Sequence, residues 1–181
     1  MICWKERKRM PKKFHVTLYE HVLNLLTERH VKIDDLAEIV YQGQVKYNDQ
    51  ITREYCRQAI LHVLEKREVQ NVILVGINMD KQVDSDKNMD PYLKAILQHD
   101  EGQFQVDESL SVAITEVFGG ISSSNRGYLD KTKPGIIGEV DRRTKTCNVY
   151  LDDILAALVS AAEAYVANKK PMGIYQEMEE D

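Results

Sequence analysis

A chain of 181 residues is long enough for one well-cored domain and short for two. A formal net charge of −5 disfavours nonspecific nucleic-acid binding, and nine glycines with four prolines are too few for the turns of an all-β fold. Cys3, Cys56 and Cys147 are too scattered for a disulfide framework or zinc cluster, which points to reduced thiols and a cytoplasmic protein. The longest apolar run, Ile154 to Val159, falls far short of the roughly 20 residues of a membrane span.

Residues 1–15 read as a basic tail, either solvated or a weak patch for anionic lipid, with Met10 as an alternative start. Leu18, Val22, Leu25 and Leu26 then share one helical face, predicting a helix over about 16–29. Asp34 or Asp35 is expected to cap a short helix that Gly43 ends. Thr52 caps the next, with Cys56, Ala59, Ile60, Val63 and Leu64 on its inner side. The stretch from Glu68 to about Lys81 contains β-branched residues, but its apolar pattern runs beyond ten residues and favours a buried helix. Asp84 to Met89 reads as a loop, and Asp90-Pro91 opens another helix.

Gly102 is expected to turn the chain before a helix that starts near Val106 and stops at Gly119-Gly120. Ser122 to Gly138 is polar and glycine-containing, and reads as the longest irregular segment. The last helix, Leu151 to about Asn168, is apolar or small on nearly every side. It is therefore placed at the centre of an all-α, single-domain bundle spanning 16–168, followed by an acidic tail over 169–181.

Acidic residues gather at three places. Asp100, Glu101, Asp107 and Glu108 fall within nine residues, Asp130 lies in the polar segment, and Asp152-Asp153 open the central helix. Acids in a first turn also cap free N–H groups and complement the helix dipole, so each pair alone is ambiguous. Two core helices that both begin with paired acids can bring four carboxylates together, and hard oxygen ligands without His or Cys suit Mg²⁺ or Mn²⁺. Lys133, stiffened by Pro134, supplies a cation suited to phosphate. His99 reads first as a surface histidine, with a general acid as the other reading, and Glu101 as a solvated helix end.

The blocks His99 to Glu108, Leu129 to Pro134 and Leu151 to Ala157, in this order, resemble the phosphatidylglycerophosphatase A family. The likeness covers about residues 95–167 and is to the soluble branch, without the membrane segments or the N-terminal Gly/Ser/Pro-rich motif of other members. It implies an all-α bundle with one enclosed helix and Mg²⁺-dependent removal of the terminal phosphate of phosphatidylglycerophosphate. Carried over by motif, Asp100, Asp107, Glu108, Asp152 and Asp153 become candidate metal ligands, and Asp130 and Lys133 candidate catalytic residues. The roles follow from chemistry: acids hold Mg²⁺, Lys133 neutralises phosphate, and water activated at the metal attacks phosphorus.

The expected partner is a phospholipid monophosphate or another phosphorylated small molecule, with peripheral membrane contact and homo-oligomer formation both open. Two alternatives stand beside this reading. One is another metal-dependent phosphohydrolase such as an all-α nucleotide pyrophosphatase, although such enzymes usually take more acids from one helix, in Glu-x-x-Glu-type spacing, than the three acidic blocks here supply. The other is a non-catalytic interaction protein on the same fold.

Overall fold

The computed structural model describes residues 15–85 and 88–169. The basic stretch up to Phe14 and the acidic tail beyond Lys169 lie outside those residues. The described residues form nine helices and no strand: α1 (Leu18–Glu28), α2 (Ile33–Gln44), α3 (Arg53–Leu64), α4 (Arg67–Ser85), α5 (Pro91–His99), α6 (Val106–Glu116), α7 (Gly120–Thr132), α8 (Ile136–Asp141) and α9 (Leu151–Asn168). None of them is long and apolar enough to cross a membrane.

Helix starts follow local chemistry. Thr17 and Glu20 form a complete capping box on α1. Thr52 accepts the Tyr55 N–H, and Asp90 accepts those of Tyr92 and Leu93, with Pro91 in the first turn of α5. The β-branched stretch 72–75 is helical, inside α4.

α9 is the axis of the bundle. Every residue from Leu151 to Ala164 is buried, and α2, α3, α4, α6, α7 and α8 all pack on it. Such enclosure needs small surfaces where helices approach. Gly76 of α4 lies so close that a Cβ there would enter the Ile154 side chain.

Four local expectations are corrected. Ser122 to Gly138 is not irregular: α7 and α8 occupy most of it. Its serines, Asn125 and Gly127 are poor helix formers, and docking on α9 outweighs that deficit, with Ser122 and Leu129 buried. Gly43 does not end α2 but sits inside it, where the missing side chain admits the Glu163 carboxylate. Neither Asp34 nor Asp35 caps α2, whose N-cap position is Lys32 and which has no side-chain cap; Asp34 instead meets Arg57 at 3.0 Å. The turn between α5 and α6 is made by Asp100 (φ 49°) and Gln105 (φ 51°) in the left-handed region, not by Gly102.

Candidate functional site

The amino-terminal end of α9 carries the site because another residue does its capping. Tyr150, at the N-cap position, makes no side-chain cap bond. Asp80 of α4, wholly buried, accepts the Tyr150 and Leu151 N–H groups at 3.1 Å each. Burial pushes the Asp80 carboxyl up to about 7, against the pull of those N–H donors and of Arg29. Asp152 and Asp153, 7% and 4% exposed, are thus spared for the wall of a cavity of about 180 Å³.

Eight carboxyl groups and one ammonium line that cavity. Asp100 and Glu101 come from the turn that follows α5, Asp107 and Glu108 from the first turn of α6, Asp130 from α7 and Asp141 from α8. One oxygen each of Asp130, Asp152 and Asp153 lie within 4.8 Å of one another. Asp107 stands in the same wall, and its Oδ1 is buried without a hydrogen-bond partner. Glu108, Asp100 and Glu101 are exposed at the rim. His99 is exposed and does not line the cavity; its Nδ1 lies 2.7 Å from the Ala95 carbonyl oxygen, one turn back.

Lys133 is the C-cap of α7, held in the left-handed region at φ 45°. Its backbone is fixed at a helix end, with Pro134 next in the chain. Its ammonium lies 2.8 Å from Asp130, 3.7 Å from Asp141 and in direct contact with Asp152. Burial works against that charge, but the Asp152 and Asp130 carboxylates outweigh it and hold the Lys133 pKa above its ordinary value.

The acids show the opposite balance. Burial pushes Asp152 up to about 6 despite Lys133. Asp153 is raised by burial and then by the neighbouring Asp152, Asp130 and Asp107 charges. Asp107 is raised by burial first. Carboxylates that repel one another around a cavity favour a cation of higher charge than one lysine brings.

Three contributors escaped the sequence reading. Arg126 of α7 has Nη1 3.5 Å from Asp153 Oδ1 and donates to Ser111 Oγ at 3.2 Å. It precedes Asp130 by four residues, a spacing that matters only once the segment is known to be helical. Asp141 closes the cavity from α8, whose first half falls in the segment expected to be irregular. Asp80 carried a usable signal: it continues the buried stripe of Val69, Ile73 and Ile77, where a carboxylate requires partners.

The family model for Phosphatidylglycerophosphatase A matches residues 32–168. The chain is 40% identical to the uncharacterized protein YutG of Bacillus subtilis (strain 168) over 145 residues, 80% of this chain and 87% of that protein. Among solved structures, the low temperature requirement C protein of Listeria monocytogenes superposes with a TM-score of 0.80 at 39% identity, over 86% of this chain and 98% of that one. A Bacillus stearothermophilus protein of unknown function gives a TM-score of 0.81 at 40% identity, over 87% and 98%. On these matches, and with one buried helix enclosed by the rest, the chain belongs to the phosphatidylglycerophosphatase A family.

Proposed function

We propose that the chain is a Mg²⁺-dependent phosphomonoesterase acting on phosphatidylglycerophosphate or a closely related phosphorylated molecule. The observation that carries this reading is the convergence of Asp130, Asp152 and Asp153 within 4.8 Å beside the Lys133 ammonium. The donor set fits the group: hard oxygens only, with one Asp107 oxygen buried and unsatisfied in the same wall. Mn²⁺ suits the same donors.

When bound, Mg²⁺ supplies Lewis acidity toward a phosphoryl oxygen and lowers the pKa of water. The chain's own residues do the rest. Asp130, Asp152 and Asp153 hold the cation, with Asp107 as a further ligand and Asp100 and Glu108 at the rim. Lys133 stays protonated and donates to the phosphoryl oxygens on which charge develops. Arg126 keeps Asp153 oriented from behind and offsets part of the acids' repulsion.

The deciding measurement is phosphate release from phosphatidylglycerophosphate, compared with nucleoside phosphates, with and without Mg²⁺. Mg²⁺-dependent release from the glycerol phosphomonoester is expected, and its absence rejects the reading. Preferential release from nucleotides would favour the pyrophosphatase alternative.

A further inference from the structure

The carboxylate cavity adjoins a second hollow of about 100 Å³, and Asp100, Asp141 and Asp152 line both. That hollow shares Gln98, Arg143 and Thr146 with a wider trough of about 530 Å³ along the connection between α8 and α9. The sign of the wall reverses along this path. The first cavity is strongly acidic, whereas Arg143 and Lys145 in the trough face a single carboxylate, Asp84. Asp84 is already engaged: it accepts the Cys147 N–H at 3.0 Å and lies 3.8 Å from Arg29.

Arg143 is a positioned cation that forms no ion pair among the described residues, although Asp100, Asp141 and Asp152 line the same hollow. It donates from Nη1 to the Arg29 carbonyl at 2.6 Å and from Nη2 to the His30 carbonyl at 3.4 Å. Both acceptors are neutral, and among the described residues no carboxylate lies within ion-pair distance of it. A guanidinium has five N–H donors in a planar fork, so this anchoring leaves donors to spare. The hollow in between is only about 100 Å³, so a spacer that threads it is short.

We infer that Arg143, assisted by Lys145, is a second anion subsite that selects phosphomonoesters carrying another anionic group, a phosphodiester or diphosphate, beyond a short polar spacer. This rests on the phosphomonoesterase reading: the reacting phosphate sits among the carboxylates, and the leaving-group side of the substrate passes through the hollow to Arg143. Arg143 is thus a specificity residue, apart from the reacting atoms.

The test compares three compounds with Mg²⁺ present. These are glycerol 3-phosphate, a water-soluble glycerol phosphomonoester with a phosphodiester at its far end, and a ribose 5-phosphate carrying a diphosphate at C1. For the intact protein, kcat/KM should favour a doubly anionic compound. In Arg143→Gln the ratio of its kcat/KM to that of glycerol 3-phosphate should fall about tenfold, carried by KM, the size expected for one lost charge-assisted hydrogen bond. Preference for the diester compound assigns the subsite to a lipid headgroup, and preference for the ribose compound to a diphosphate.

An unchanged ratio in Arg143→Gln overturns the proposal. Because Arg143 also ties down the end of α1, Lys145→Glu is the second variant: Lys145 is exposed, and the same ratio should fall by about threefold. If the intact protein hydrolyses none of the compounds, the phosphatase reading has failed. Calorimetric binding of the diester compound to the protein and to Arg143→Gln then decides the subsite alone, equal affinities counting against it.

Discussion

The two ends of α9 both bury carboxylates, but in different company. Toward the C-terminal end, Glu163 is 5% exposed, accepts the Asn125 side-chain N–H at 2.7 Å, and lies against Gly43, which leaves room for it. Below it, Ser122 and Ser160 meet at 3.3 Å, so this end of α9 is a closed polar layer in the core. At the N-terminal end, Asp152 and Asp153 face further acids from the turn after α5 and from α6, α7 and α8 around open space, and one Asp107 oxygen has no partner. Burial raises the pKa at both ends: Glu163 reaches about 7 and Asp152 about 6. A raised pKa therefore does not distinguish a site from a core layer. What does is several mutually repelling acids, supplied by separate elements, around a volume that admits a ligand.

The largest expected effect breaks the N-terminal end. Asp153→Asn should abolish Mg²⁺ binding by calorimetry and reduce phosphate release at least about 10³-fold, the range lost with a central electrostatic group. The metal-free variant should gain about 1–3 kcal/mol in denaturant unfolding, because a repelled buried charge is removed. Loss of stability instead would make Asp153 a structural ion-pair partner of Arg126.

Next comes the opposite end. Glu163→Ala should cost about 2–4 kcal/mol, leaving a cavity and an unpaired Asn125 amide, while Mg²⁺ affinity stays unchanged. A change in affinity would erase the distinction between the two ends. Asp80→Ala falls between them: with the cap of α9 gone, stability should drop by about 2 kcal/mol and Mg²⁺ affinity should weaken as the first turn frays.

The pH dependence sharpens the contrast further. The folded pKa of Glu163 is raised above its ordinary 4.5 to about 7. Its contribution is thus fully present below about pH 4.5 and is lost as pH rises through about 7. Glu163→Gln should flatten the decline in melting temperature between those values, and an unaltered slope would mean that Glu163 ionises freely in the fold. The smallest effect belongs to the surface: Asp34→Ala, removing the exposed pair with Arg57, should change stability by under about 0.5 kcal/mol.

α9 was legible because an 18-residue stretch that is apolar or small on almost every side has no other place than the centre of a bundle. Asp90-Pro91 and Thr52 were legible because capping depends on neighbours two or three residues away. α7 was not, since Ser122 to Asn125 disfavour helix locally and the compensating surface belongs to α9, some 38 residues on at Ser160 and Glu163. The same separation hid the cap on α9: Asp80 bonds a backbone N–H 70 residues away, and no local pattern encodes that. Acidic pairs could be seen in the sequence, but their grouping could not. Asp130 joins Asp152 and Asp153 in the tight cluster, while Asp107 and Glu108 take the surrounding wall and rim.

The cavity is lined from the turn after α5 and from α6, α7, α8 and α9, and no single helix or adjacent pair could enclose it. Any ligand that fills it therefore binds only the fully assembled chain. Its binding energy is added to the global unfolding free energy by mass action, about 2.7 kcal/mol at a hundredfold excess over Kd. Amide exchange should slow across the whole bundle, including α2 and α3, which never touch the ligand. Occupancy of the carboxylate cavity is in this sense a readout of whether the whole helical bundle is folded.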